Sequence, residues 1–107
     1  MNPTTQMPDI ARARREHLRW LSILTLNNAR PIGAMEHLIL TVAHAYYPDA
    51  TPQELRRELD YLEGRKLLDI TKTPDGRWLA KLTRYGVDIA EYTIDCEPGI
   101  ARPAKYW

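Results

Sequence analysis

The chemistry open to this chain is narrowed first by what it has little of. A single cysteine, Cys96, rules out an intrachain disulfide framework and agrees with a reducing compartment. Ser22 is the lone serine, and nothing in the pattern sets it or Cys96 beside a histidine, so no nucleophile-plus-base site is evident. Five glycines are scattered at element ends and form no phosphate-cradling loop. Apolar runs are far too short to span a bilayer, and the leading MNPTTQMPDIARARREHL lacks the apolar middle of a signal peptide; the expected setting is the cytoplasm, with no membrane partner. Nor is there an excess of either charge. Fifteen Lys and Arg against 14 Asp and Glu leave +1, which counts against strong DNA binding, because nonspecific affinity comes mainly from cations replacing counterions on phosphates.

What is there is an ordinary globular composition in 107 residues, 44% hydrophobic and 27% charged, enough for one domain. Residues 1–8 hold two prolines and little apolar pattern and read as a flexible lead. A first helix is expected over residues 9–26, with Asp9 as its N-cap. Leu18, Leu21 and Leu24 or Thr25 form its inner face, while Trp20, Ile23 and Leu26 widen the apolar arc beyond one core contact and point to a dimer or partner surface. A second helix is expected over 34–47, where Met35, Leu38, Ile39, Val42, Ala43 and Tyr46 repeat at helical spacing.

The stretch from Thr51 to Gly86 organises the rest. Thr51 is an N-cap, Pro52 suits the first helical position, and Glu54 is placed to complete a capping box. Leu55, Leu59 and Leu62 give one buried helix face. After Leu67 the period changes to two: Leu68 and Ile70, then Trp78, Ala80 and Leu82, alternate with polar residues about the turn Thr73-Pro74-Asp75-Gly76. Thr83 then caps a short last helix over 83–92, and residues 93–107 read as an extended tail, either loose or laid on a partner.

This order, carried by Leu55, Leu59, Leu62, Leu67, Leu68, Asp75, Gly76, Arg77, Leu82, Thr83 and Gly86, resembles the second half of a winged helix-turn-helix domain. The resemblance implies a mainly α fold with a small β-hairpin: a three-helix core, a two-stranded wing and a short C-terminal helix over residues 9–92. The tail Gly99-Ile100-Ala101-Arg102-Pro103 further resembles that of a small, poorly characterised winged-helix protein of Mu-like prophages. In the winged-helix pattern Gly usually precedes the paired leucines. Here that place is Lys66, and Gly64 lies two residues earlier, so either Gly64 ends the helix early or Lys66 takes a positive φ.

Catalysis and metal chemistry find little footing. His37 and His44 share a helix face but lie roughly 10 Å apart along it, and neither CxxC nor HExxH occurs. A non-enzymatic protein without metal or cofactor is expected. DNA binding is the function the fold resemblance implies. Gln53, Arg56 and Arg57 lie near the start of the third helix, where a recognition helix touches base edges, and Lys72, Arg77 and Lys81 sit on the wing, within reach of phosphate or minor groove. Against this, Glu54, Glu58, Asp60 and Glu63 outnumber the two arginines, and Lys on a hairpin also serves to block edge aggregation. The cluster Arg12, Arg14, Arg15 and Arg19 is a solvated helix end, a phosphate-binding arm or an ion-paired dimer surface. Tyr106 and Trp107 are a free terminus or an aromatic anchor. Two functions follow from the residues and the resemblance: a dimeric DNA-binding protein of transcription-regulator type, phage or prophage in origin, or a protein-interaction or phage-assembly module that uses the same fold without DNA.

Overall fold

A computed structural model describes residues 9–105. Helix α1, Ile10–Asn28, opens at Asp9, whose carboxylate accepts the Arg12 N–H. Strand β1, Ala34–Met35, leads into α2, Glu36–His44, and α3, Pro52–Gly64, follows after a short turn. Strands β2, Leu68–Lys72, and β3, Trp78–Leu82, form the hairpin, and α4, Arg84–Ala90, closes the set. The protein is mainly helical with a three-stranded antiparallel sheet in the order β1-β3-β2, a winged-helix-like arrangement.

The expected second helix begins two residues late. Gly33, at φ 90°, lies so close to the Ala80 carbonyl that a Cβ would overlap it, and the chain leaves that contact extended, pairing Ala34 with Ala80 and Met35 with Leu79. The two-stranded wing is therefore a three-stranded sheet. Thr51 caps α3 by accepting the Glu54 N–H, as expected, but the Glu54 carboxylate does not close the capping box; it turns to Arg14 on α1.

Both alternatives at the end of α3 occur together. The helix runs to Gly64, and Lys66 stands at φ 68°. Its N–H bonds the Glu63 carbonyl while Leu67 N–H reaches back to Leu62, the two bonds of a Schellman turn made without glycine at the left-handed position. That turn aims Leu67 and Leu68 into the core. Gly86 answers on the other side: a Cβ there would overlap the Leu67 carbonyl, so the start of α4 packs directly on the turn.

Leu55, Leu59 and Leu62 from α3 meet Ile39 of α2, Ala80 and Leu82 of β3 and Ile89 of α4 in one core. Trp20, Ile23 and Leu26 belong to the same core, at 5%, 0% and 0% exposure. This corrects the expectation that they form a dimer surface. The arc looked too wide for one contact because α1 packs against α2, α3, α4 and β3 at once. The tail is likewise laid on its own chain: Ile100 is buried and Ala101 N–H bonds the Glu16 carbonyl of α1.

Candidate nucleic-acid interface

Helix α3 divides its polar residues among three directions. Gln53, Arg57 and Asp60 are exposed and recur at i, i+4, i+7, one solvent stripe opposite Leu55, Leu59 and Leu62. The acids that weigh against DNA in the sequence are mostly not on it. Glu54 takes two bonds from Arg14, at 2.7 and 2.8 Å, and Arg14 also pairs with Asp49. Glu58 is buried, its side chain 3% exposed, and accepts Arg19 Nε at 2.8 Å. Glu63 accepts the Ile70 N–H at 2.8 Å, tying α3 to β2. Asp60 alone among the four faces water without a partner among the described residues.

On the hairpin side the expected contact residue Arg56 is committed elsewhere. Its guanidinium forms a bidentate pair with Glu36, both bonds 2.6 Å, donates to the Gly76 carbonyl at 2.7 Å and lies over the Trp78 ring. Glu36 also accepts the Trp78 N–H at 2.7 Å. The Arg56 bonds, with help from that N–H, hold the Glu36 carboxyl below the usual carboxylate range. One ion pair thus joins α2, α3, the turn and β3, with Arg56 as the clamp. A pocket of about 270 Å³ opens beside it, lined by Met35, His37, Leu40 and Arg77 among others.

The wing cations do not converge. Lys72 lies over the Trp78 ring, its cross-strand partner. Arg77 pairs with Asp75 at the exposed tip, where the Thr73 hydroxyl, bonded to Asp75, is foremost in lowering that carboxyl's pKa. Lys81 sits opposite Asp69, on the sheet face away from Lys72 and Trp78. Of the six nominated DNA contacts, Gln53 and Arg57 share a stripe, Lys72 and Arg77 lie on the hairpin against Trp78 and Asp75, Arg56 is paired with Glu36, and Lys81 lies on the other sheet face.

On the α1 side lies a groove of about 440 Å³, lined by Ala11, Arg14, Arg15, Arg19, Glu54, Arg57, Glu58 and Tyr61. Arg19 stacks 3.5 Å from the centre of the Tyr61 ring and donates to the Gly99 carbonyl at 2.8 Å. Arg12 pairs with Glu16 one turn on. Arg15 and Arg57 have no hydrogen-bond, ion-pair or ring partner among the described residues. The basic cluster of α1 therefore separates into structural arginines, 14 and 19, and one uncommitted arginine, 15. Spacing could have grouped these residues with α3 only if the helix–helix register were known.

Tyr106 and Trp107 lie outside the described residues. Among the described residues exposed apolar surface lies not on Trp20, Ile23 and Leu26 but at sites that include Leu38 and Tyr46, which with Leu24 and Val42 line a groove of about 420 Å³ between α1 and α2. No three His, Cys, Asp or Glu residues gather as a metal set among the described residues, and none of their helices is long and apolar enough to cross a membrane.

No protein-family model and no curated protein matches this chain. Among solved structures, a candidate DNA-binding protein from Ralstonia eutropha JMP134 superposes with a TM-score of 0.60 at 24% identity, over 73% of this chain and 95% of that one. The likeness is one of fold.

Proposed function

We propose that this protein is a non-enzymatic winged helix-turn-helix protein that binds double-stranded DNA through α3, with the β2–β3 hairpin as its wing, in the manner of a transcription regulator. One observation carries the reading: the acids of α3 other than Asp60 are tied to α1 or β2, so that the stripe left facing water presents Gln53 and Arg57. A helix of this kind brings an amide and a guanidinium to the groove, the side chains best matched to adenine and guanine or to phosphate. The description of the Ralstonia protein as DNA-binding agrees with it. The resemblance of the Gly99 to Pro103 tail to Mu-like prophage proteins extends the proposal to a phage setting. The test is fluorescence anisotropy with mixed-sequence duplex at about 50 and about 200 mM salt, across which a protein making several phosphate contacts loses orders of magnitude in affinity. Absence of binding at the lower salt overturns the reading.

The apolar groove at Leu24, Leu38, Val42 and Tyr46 favours a second reading, an interaction module whose partner is a second copy or another protein. Under it, light scattering shows an assembly that Leu38→Glu dissolves and Arg57→Ala leaves intact; a monomer at high concentration refutes the self-associating form.

A further inference from the structure

We infer that the groove between α1 and α3 is a backbone-phosphate clamp, formed by Arg15 and Arg57, and that base reading by α3 falls to Gln53. This deepens the DNA-binding proposal and rests on it. The sequence alone treats Arg57 as a base-edge residue beside Arg56 and leaves Arg15 in a cluster of unassigned role. In the folded chain the two come from different helices to line one groove. The carboxylates of that groove are already engaged, Glu54 through both oxygens with Arg14 and Glu58 with Arg19, so no ion pair within the groove neutralises Arg15 or Arg57. Arg14 and Arg19 hold those acids in place and screen them from an incoming anion. A phosphodiester suits the site that remains: it carries one negative charge, accepts forked N–H donation from guanidinium groups, and runs past the flank of any helix seated in the major groove.

Gln53 lies one turn earlier on the same stripe, at the N-terminal end of α3 and outside the groove lining. That end is where a recognition helix meets base edges, and a Gln amide can bond adenine through two atoms at once. The two residues four apart thus differ in what they read, because Arg57 lines the groove beside α1 and Gln53 does not.

The experiment compares wild-type protein with Arg15→Ala, Arg57→Ala, Arg57→Lys and Gln53→Ala, measuring affinity for a mixed-sequence duplex across a salt series and relative affinity over a pool of duplexes of varied sequence. The clamp predicts that Arg15→Ala and Arg57→Ala each reduce the log–log salt slope by about 0.9, the value for one lost phosphate contact, and weaken every duplex by the same factor. Arg57→Lys keeps the slope, and Gln53→Ala keeps it too while changing the ranking of duplexes. Re-ranking by Arg57→Ala, or an unchanged slope in Arg15→Ala, overturns the clamp while leaving DNA binding standing. Absence of wild-type binding at low salt overturns the DNA reading itself and the clamp with it.

Discussion

The two flanks of α3 treat neighbouring arginines in opposite ways. On the hairpin flank Arg56 is consumed by Glu36, the Gly76 carbonyl and the Trp78 ring; on the α1 flank Arg57 stands over a groove whose acids are already satisfied by other arginines. One flank uses charge to hold the fold and the other leaves charge for a partner. The difference arises from which acid each side supplies. Glu36 enters from α2 with no other cation bonded to it, whereas Glu54 and Glu58 meet Arg14 and Arg19 from α1 before Arg57 can reach them. A helix can therefore look poorly suited to DNA by its acid count and yet leave only one of its four acids, Asp60, on the stripe that faces water.

The most severe way to break the comparison is to remove an acid that keeps the α1 flank in order. Glu58→Ala would leave Arg19 with the Gly99 carbonyl and the Tyr61 ring but no carboxylate in a nearly buried site, at a cost of about 3 kcal/mol by chemical denaturation. A loss under about 1 kcal/mol would show that the pair contributes little to the fold. The next effect is the contrast itself. Arg56→Ala should lower stability by about 1.5 kcal/mol, less than Glu58→Ala because the pair is partly open to water, whereas Arg57→Ala should stay within about 0.5 kcal/mol of wild type. Equal effects at the two positions would refute the division of labour between the flanks.

Acid should act on the hairpin flank through the same pair. Because the Glu36 carboxyl is depressed in the folded state by Arg56, its contribution is complete above its ordinary pKa of 4.5 and is lost as pH falls through the lower folded value. Thermal melts of wild type and Glu36→Gln should therefore converge as pH is lowered below about 4.5 and separate above it. A gap that does not change with pH would assign the Glu36 contribution to packing instead.

The smallest effect sharpens how α3 is aimed. Lys66 holds a left-handed conformation that glycine adopts without strain, so Lys66→Gly should raise stability by about 1 kcal/mol and leave the Leu67 and Leu68 packing unchanged. Destabilisation would mean that the lysine side chain contributes more at this turn than its backbone costs.

Much of the architecture is legible along the chain. Asp9, Thr51 and Thr83 each cap the helix expected of them, since an N-cap bond reaches only three residues ahead. The 3.6-residue period marks Leu55, Leu59 and Leu62, and the period of two marks the hairpin, because both record which side of a local element is apolar. Of the candidate site, Gln53 and Arg57 are legible as an outward pair for the same reason.

The rest depends on which elements come to lie side by side. Arg19 meets Glu58 from 39 positions away and Gly99 from 80, separations at which no periodic pattern survives. Strand β1 exists because Gly33 and β3 approach each other, and the tail is held by Ile100, by the Ala101–Glu16 backbone bond and by Arg19 and Arg65 donating to the Gly99 and Pro98 carbonyls, contacts between residues far apart in the chain. Trp20, Ile23 and Leu26 look like surplus surface until several elements cover α1 together. By itself the sequence determined the helices, their caps, the turn and the buried stripes, all of which are set by interactions within a few residues. The tertiary structure alone decided which arginine stays free, because a charge is spent or left over according to the partner that reaches it first across the fold.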